Sequence, residues 1–231
     1  MLKAKKKITH KEIKQDKLVT TYYQSREWFG KEENKKKMYI GLGIIAVLIV
    51  AGFFYMSSKK AKTEEAETKL SAIINLYETE KYAEALNGDP ATNTMGLIDI
   101  VNNYGGTESG QTAKLYLGNC YYNLKNFDEA LKTFDDYSGK NDIVKASCIS
   151  GIGAVWEAKG DLKKAAEYFE KASKINKEVI TNQENVFYAI RAYSQAGDKE
   201  SAKRMYDVLK NEYPKSKYLN DTKRFESEFK N

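Results

Sequence analysis

The sequence predicts an all-α protein, with a single N-terminal transmembrane helix followed by an α-solenoid of helix-turn-helix repeats. Three observations predict it. Met38 to Met56 is a run of 19 residues without a charge, a proline or an amide side chain. The 231 residues include only two prolines, against abundant Ala, Leu, Lys and Glu, which favour helix. Small and aromatic residues recur at fixed intervals between residues 111 and 214.

Residues 1–37 form a basic tail. They hold 12 of the 38 Lys and Arg but 5 of the 32 acids, so the whole net charge of +6 arises there. Tyr22, Tyr23, Trp28 and Phe29 are interleaved with these charges. The mixture suits the surface of an anionic leaflet. It equally suits a docking segment for a membrane partner, or a solvated tail that only sets orientation. Nucleic acid is set aside as a partner, because the charges lie against a membrane.

Residues 38–56 are the span. At about 1.5 Å per residue a helix of this length crosses the roughly 30 Å hydrocarbon layer. Tyr39 and Tyr55 stand at its ends, where amphipathic rings favour the headgroups. Trp28, Phe29, Lys35, Lys36 and Lys37 complete the expected membrane anchor. No small-x-small cleavage pattern follows Tyr55, so a retained signal anchor is expected rather than a cleaved leader. The charge bias places the tail in the cytoplasm and the remainder across the membrane.

Residues 57–110 read as a helical linker with a degenerate leading repeat. Ala66, Leu70, Ile73, Ile74 and Tyr77 fall on one helical face. Helix continues through Tyr82–Leu86 until Asn87-Gly88-Asp89-Pro90, a strong breaker. It resumes from Thr94 to Tyr104 and stops at Gly105-Gly106.

Residues 111–214 repeat. Gly118, Ala130 and Phe134 recur as Gly153, Ala165 and Phe169, 35 residues later. Trp156, Gly160, Ala165 and Phe169 recur as Tyr193, Gly197, Ala202 and Tyr206, 37 residues later. In each unit a helix of about 14 residues meets a short turn and then a second helix. Small residues let the two helices touch and aromatics fill the gap beside them. One such unit cannot bury its apolar face, so the units must stack. Residues 215–231, with Tyr218, Leu219, Phe225 and Phe229, read as a capping helix.

Catalytic chemistry finds no foothold. The one histidine, His10, lies in the tail. Neither a metal cluster nor a His-based triad can be built in the repeats. No phosphate-cradling glycine loop is present. Catalytic residues, metals, cofactors and a small-molecule substrate are therefore not expected, and the chain is read as a non-enzyme. Cys120 and Cys148 are expected late in one first helix and early in the next, an axial offset of about 10 Å. That exceeds disulfide reach, so both are expected as core thiols.

The pattern resembles the tetratricopeptide repeat. Leu117, Gly118, Tyr121, Ala130 and Phe134 stand at that family's Leu, Gly, Tyr, Ala and Phe positions. Ile152, Gly153, Trp156, Ala165, Phe169 and Ala172 follow in the second unit. Ala189, Tyr193, Ala202, Tyr206 and Pro214 follow in the third, where Ile190 replaces the small Gly. The full layout of basic tail, span and repeat array resembles the bacterial ancillary SecYEG translocon subunit (YfgM-like) family.

The resemblance implies a concave groove lined by the first helix of each unit. Transferred by position, Asn119, Tyr122, Asn123, Glu157, Phe187 and Arg191 are the expected partner-binding residues. Tyr122 and Phe187 are aromatics that repeat packing does not require. Some arrays clamp a C-terminal carboxylate, but Leu115, Tyr122, Gly151, Glu184 and Tyr188 stand where that clamp places Lys, Asn or Arg. That ligand is rejected.

The layout implies a non-catalytic scaffold in the bacterial inner membrane, tail cytoplasmic and array periplasmic. Expected partners are a SecYEG-type translocon and a periplasmic chaperone or emerging chain. An envelope-assembly or cell-wall scaffold, or a regulatory subunit of a membrane enzyme, are the alternatives.

Overall fold

The computed structural model describes residues 17–176, 178 and 181–229. The Lys3–Lys14 part of the basic tail, His10 and the side chain of Phe229 lie outside the described residues. The chain divides into two compact units, Met1–Ser58 and Lys59–Asn231, each taken by itself below.

In the first unit α1 (Lys17–Gly30) is followed, after a bend at Lys31, by the start of α2 (Glu32–Glu78). Asn34 Nδ2 donates to the Trp28 carbonyl at 2.8 Å and holds the bend. Glu32 and Glu33 occupy the first turn of α2, where carboxylates complement the positive helix end. No proline interrupts the 47 residues of α2. Its most apolar 18-residue window has a mean hydropathy of 2.3 and none of that window is buried. The helix is thus long and apolar enough to cross a membrane.

In the second unit Ala66, Leu70 and Ile73 of α2 are buried, as the apolar stripe requires. They pack with α3 (Tyr82–Asn87), α4 (Leu97–Tyr104) and α5 (Glu108–Asn123). Two sequence expectations change here. Helix does not run on from Tyr77 into Tyr82; the chain turns at Glu80, which sits at φ 60°. The helix expected from Thr94 begins at Leu97, because Thr94–Met95 (β2) pairs antiparallel with Gly88–Asp89 (β1). Asp89 stabilises the loop between them by accepting from Ala91 N at 2.9 Å and Thr92 Oγ1 at 2.9 Å.

Three helix pairs follow: α5 with α6 (Phe127–Asp135), α7 (Asp142–Ala158) with α8 (Leu162–Ser173), and α9 (Asn182–Gln195) with α10 (Lys199–Glu212). Their small residues lie at the helix crossings. A Cβ on Gly118 would come within 2.5 Å of the Phe134 ring, and one on Gly153 within 2.9 Å of Phe169. Ala130, Ala165 and Ala202 are fully buried. Last, α11 (Tyr218–Phe229) packs on α9 and α10, burying Phe225.

One turn recurs inside the pairs. Asn126 N donates to Tyr121 O at 2.8 Å, Asp161 N to Trp156 O at 2.9 Å, and Asp198 N to Tyr193 O at 3.0 Å. Each bond spans five residues and closes a Schellman-type cap whose penultimate residue must be left-handed. Lys125 (φ 62°), Gly160 (φ 83°) and Gly197 (φ 79°) fill that place. Lys81 N bonds Leu76 O at 2.9 Å across Glu80, so the end of α2 makes the same turn into α3. Asp161 and Asp198 then cap the next helix, accepting from Lys164 N at 3.1 Å and Ser201 N at 3.0 Å.

Cys120 and Cys148 are unbridged, buried and in different apolar clusters. Burial pushes both thiols up to about 12.

Candidate functional site

Successive units are tied by side chains spaced 34 residues apart. Asp142 accepts from Asn176, Glu157 from Arg191, Glu170 from Arg204 and Glu184 from Tyr218. The spacing is three residues short of the 37-residue recurrence, nearly one helical turn. Neighbouring first helices therefore face each other one turn out of sequence register.

The same offset builds an open groove of about 580 Å3 on α5, α7 and α9. Ser147, Gly151, Ala154 and Glu157 line one wall, opposite Thr181, Asn185, Tyr188 and Arg191, and each facing pair is again 34 residues apart. Leu115 and Asn119 of α5 extend the lining. The floor is Phe169, whose ring lies 5.3 Å from that of Tyr188.

Among the described residues three charged side chains line the groove, Glu157, Glu184 and Arg191. Arg191 Nη2 reaches both oxygens of Glu157, at 2.7 and 2.8 Å, and its guanidinium lies 5.2 Å from the Tyr188 ring centroid. Glu184 Oε1 accepts from two phenols, Tyr188 at 2.8 Å and Tyr218 at 2.9 Å. Burial, reinforced by the Glu184 carboxylate, pushes the Tyr188 phenol up to about 12. Both tyrosines stay neutral donors at any physiological pH.

Of the residues expected from the sequence, Asn119, Glu157 and Arg191 line this groove. Asn119 Nδ2 donates to Tyr77 Oη at 3.2 Å, which ties α5 to α2. Tyr122 and Asn123 lie beyond the groove. Tyr122 tilts against Phe127, centroids 5.9 Å apart, and Asn123 Nδ2 donates to the Asn119 carbonyl at 2.8 Å. Phe187 is the clear correction. It is 9% exposed and stacks on Tyr218 of α11, with centroids 5.0 Å and planes 17° apart. The last helix covers it, so its aromatic character serves the cap and not an open groove.

Sequence reasoning missed Thr181 and Asn185, and read Gly151 and Tyr188 only as departures from a clamp. A 34-residue comparison with Ser147, Gly151 and Ala154 would have found them. Asn185 is 3% exposed, and its Nδ2 has no hydrogen-bond partner. Thr181 Oγ1 and Arg191 Nε on the same wall are also buried without a partner.

The residues expected as an anchor lie in the first unit. Trp28 and Phe29 end α1, half exposed, with rings edge to face at 5.2 Å. Lys35 pairs with Glu32 at 2.6 Å, while Lys36 and Lys37 are exposed. Tyr39 and Tyr55 are 66% and 70% exposed on α2. No group of three or more His, Cys, Asp or Glu that could hold a metal ion occurs among the described residues.

Tetratricopeptide repeat models match residues 112–140 and residues 158–221. No curated protein matches the chain. Arrays of such repeats are typically non-catalytic and serve protein–protein interaction. With the paired helices and the recurring turn, these matches show that residues 112–140 and 158–221 carry tetratricopeptide repeats.

Proposed function

We propose that this protein is a membrane-anchored, non-catalytic scaffold that holds a polypeptide partner in the groove of α5, α7 and α9. The open groove, polar on both walls and floored by Phe169, is the observation that carries the reading. The apolar stretch of α2 and its aromatic and basic flanks support anchoring in a bacterial inner membrane. On this reading residues 1–37 are cytoplasmic and the array is periplasmic. Anchoring would raise the effective concentration of the array for partners in the same membrane. The layout, which resembles the ancillary translocon subunits, favours a SecYEG-type complex as the membrane partner and a periplasmic chaperone or emerging chain in the groove.

The test is pull-down from gently solubilised membranes with mass spectrometry, on wild type and on a variant of the groove-lining Ser150, Ser150→Trp, whose indole plugs the groove. The expected result is SecY-type subunits with both proteins, and a soluble periplasmic partner with wild type alone. Cell-wall synthases or outer-membrane assembly factors in place of translocon subunits would refute the assignment. A soluble partner set unchanged by the plug would refute the groove. Sidedness is read with a thiol introduced at Lys223. It should react in cells whose outer membrane alone is permeable, and a thiol introduced at Lys5 only in opened cells.

A further inference from the structure

We infer that the groove selects an extended segment carrying a basic side chain, and turns away acidic segments and free C-terminal carboxylates. The inference rests on the groove reading above and names the chemistry of its occupant.

Among the described residues Arg191 is the only cation whose side chain lines the groove. Glu157 already holds it through two oxygens at 2.7 and 2.8 Å, so an incoming carboxylate meets a guanidinium whose charge is already balanced. With that pair neutral, Glu184 gives the described residues of the lining one net negative charge. Both tyrosine hydroxyls share its Oε1, which fixes the carboxylate and leaves Oε2 as the acceptor a ligand meets. A Lys or Arg of the partner supplies the matching charge-assisted donor.

Asn185 says how the rest of the segment is held. It is 97% removed from solvent, lines the groove one residue after Glu184, and its Nδ2 lacks a partner. A buried amide donor without an acceptor is costly. Rotation about its χ2 presents the donor to a main-chain carbonyl in the groove, which a chain in extended form offers and a helix does not. Glu184 thus reads one side chain while Asn185 reads the backbone beside it.

The experiment uses the full chain in nanodiscs and three labelled twelve-residue peptides of Ala, Ser and Thr, blocked at both ends, with Lys, Ala or Glu at the centre. A fourth peptide has the Ala centre and a free C-terminal carboxylate. Fluorescence anisotropy should rank Lys above Ala by about tenfold, as one charge-assisted hydrogen bond supplies. The Glu peptide and the free carboxylate should bind worst. Glu184→Gln should remove the Lys preference, so that the Lys and Ala peptides bind alike. Glu157→Gln should raise affinity for the Glu peptide, and Asn185→Ala should weaken all peptides alike. Thermal melts confirm that each variant is folded. An equal or reversed ranking in wild type overturns the inference, as does Lys preference that survives Glu184→Gln or the absence of binding by every peptide. The pull-down with Ser150→Trp reads the groove separately, so the scaffold can stand when the charge rule fails.

Discussion

Arg204 grips Glu170 with two nitrogens, Nη1 at 2.6 Å from Oε1 and Nη2 at 2.9 Å from Oε2, across the boundary between the last two helix pairs. Tyr193 and Lys174 complete the shell at 2.8 and 2.5 Å. The carboxylate side chain is 11% exposed, so these donors replace the water it has lost. It is the electrostatic junction of the array.

Arg204 foremost, with Lys174 and Tyr193, holds the Glu170 carboxyl down to about 2 against burial, from an ordinary 4.5. A depressed folded-state value stabilises above the unfolded value and is lost on acidification through the folded one. The contribution is therefore full above about pH 4.5 and gone below about pH 2. Glu170→Gln should cost on the order of 2–3 kcal/mol at pH 7. The gap between the two melting curves should close as the pH falls through that window. A gap independent of pH would show that packing, not charge, sets the loss.

Gly118 and Phe134 set the first helix crossing. Gly118→Ala places a methyl 2.5 Å from the ring and should cost about 1–3 kcal/mol by overpacking. Phe134→Leu alone should also destabilise, by about 1–2 kcal/mol. Combined, the two should cost less than their sum, because leucine vacates space that the methyl needs. Strict additivity in chemical denaturation would contradict the contact.

Lys125 occupies the left-handed place that Gly160 and Gly197 fill in the sister turns. A side chain there costs about 1–2 kcal/mol, and glycine gives back part of that in unfolded-chain entropy. Lys125→Gly should raise stability by about 0.5–1 kcal/mol, and Gly160→Lys should lower it by a similar amount. Opposite signs in the two melting shifts are the expected signature.

Phe187→Ala removes a buried ring stacked on Tyr218 and should cost about 3–5 kcal/mol, loosening α11 first. Hydrogen exchange should rise in residues 218–225 before it rises in α7. The half-buried Tyr122 is a contrast, and Tyr122→Ala should cost about 1 kcal/mol. Equal protection of α11 in wild type and Phe187→Ala would exclude the capping role.

Most of the array was legible because its signals are local and repeat. Gly118, Gly153 and the buried alanines each mark a close approach, and their spacing repeats through 35 or 37 residues. Two kinds of feature were not. Glu80 turns the chain without Gly, Asn or Pro to announce it, because the turn's hydrogen bonds are backbone bonds and any residue can make them. The groove was only half visible, since Phe187 and Tyr188 are equally aromatic neighbours on one helix. Which of them is covered depends on where α11 returns, a long-range packing outcome that periodicity does not encode.

The 34-residue ladder has a consequence for how this chain tolerates insertion and deletion. A single extra residue inside α9 would rotate everything after it by about 100°. It would also shift Arg204 and Tyr218 to 35 residues from Glu170 and Glu184, so both rungs would miss. One error would then cost two junctions and the cap over Phe187. Duplication of a whole helix pair leaves these four rungs intact, because for each rung one copy keeps its distance along the chain to its partner. Length can therefore change cheaply only in whole units, and insertions of one or a few residues belong in the loops that join the helices.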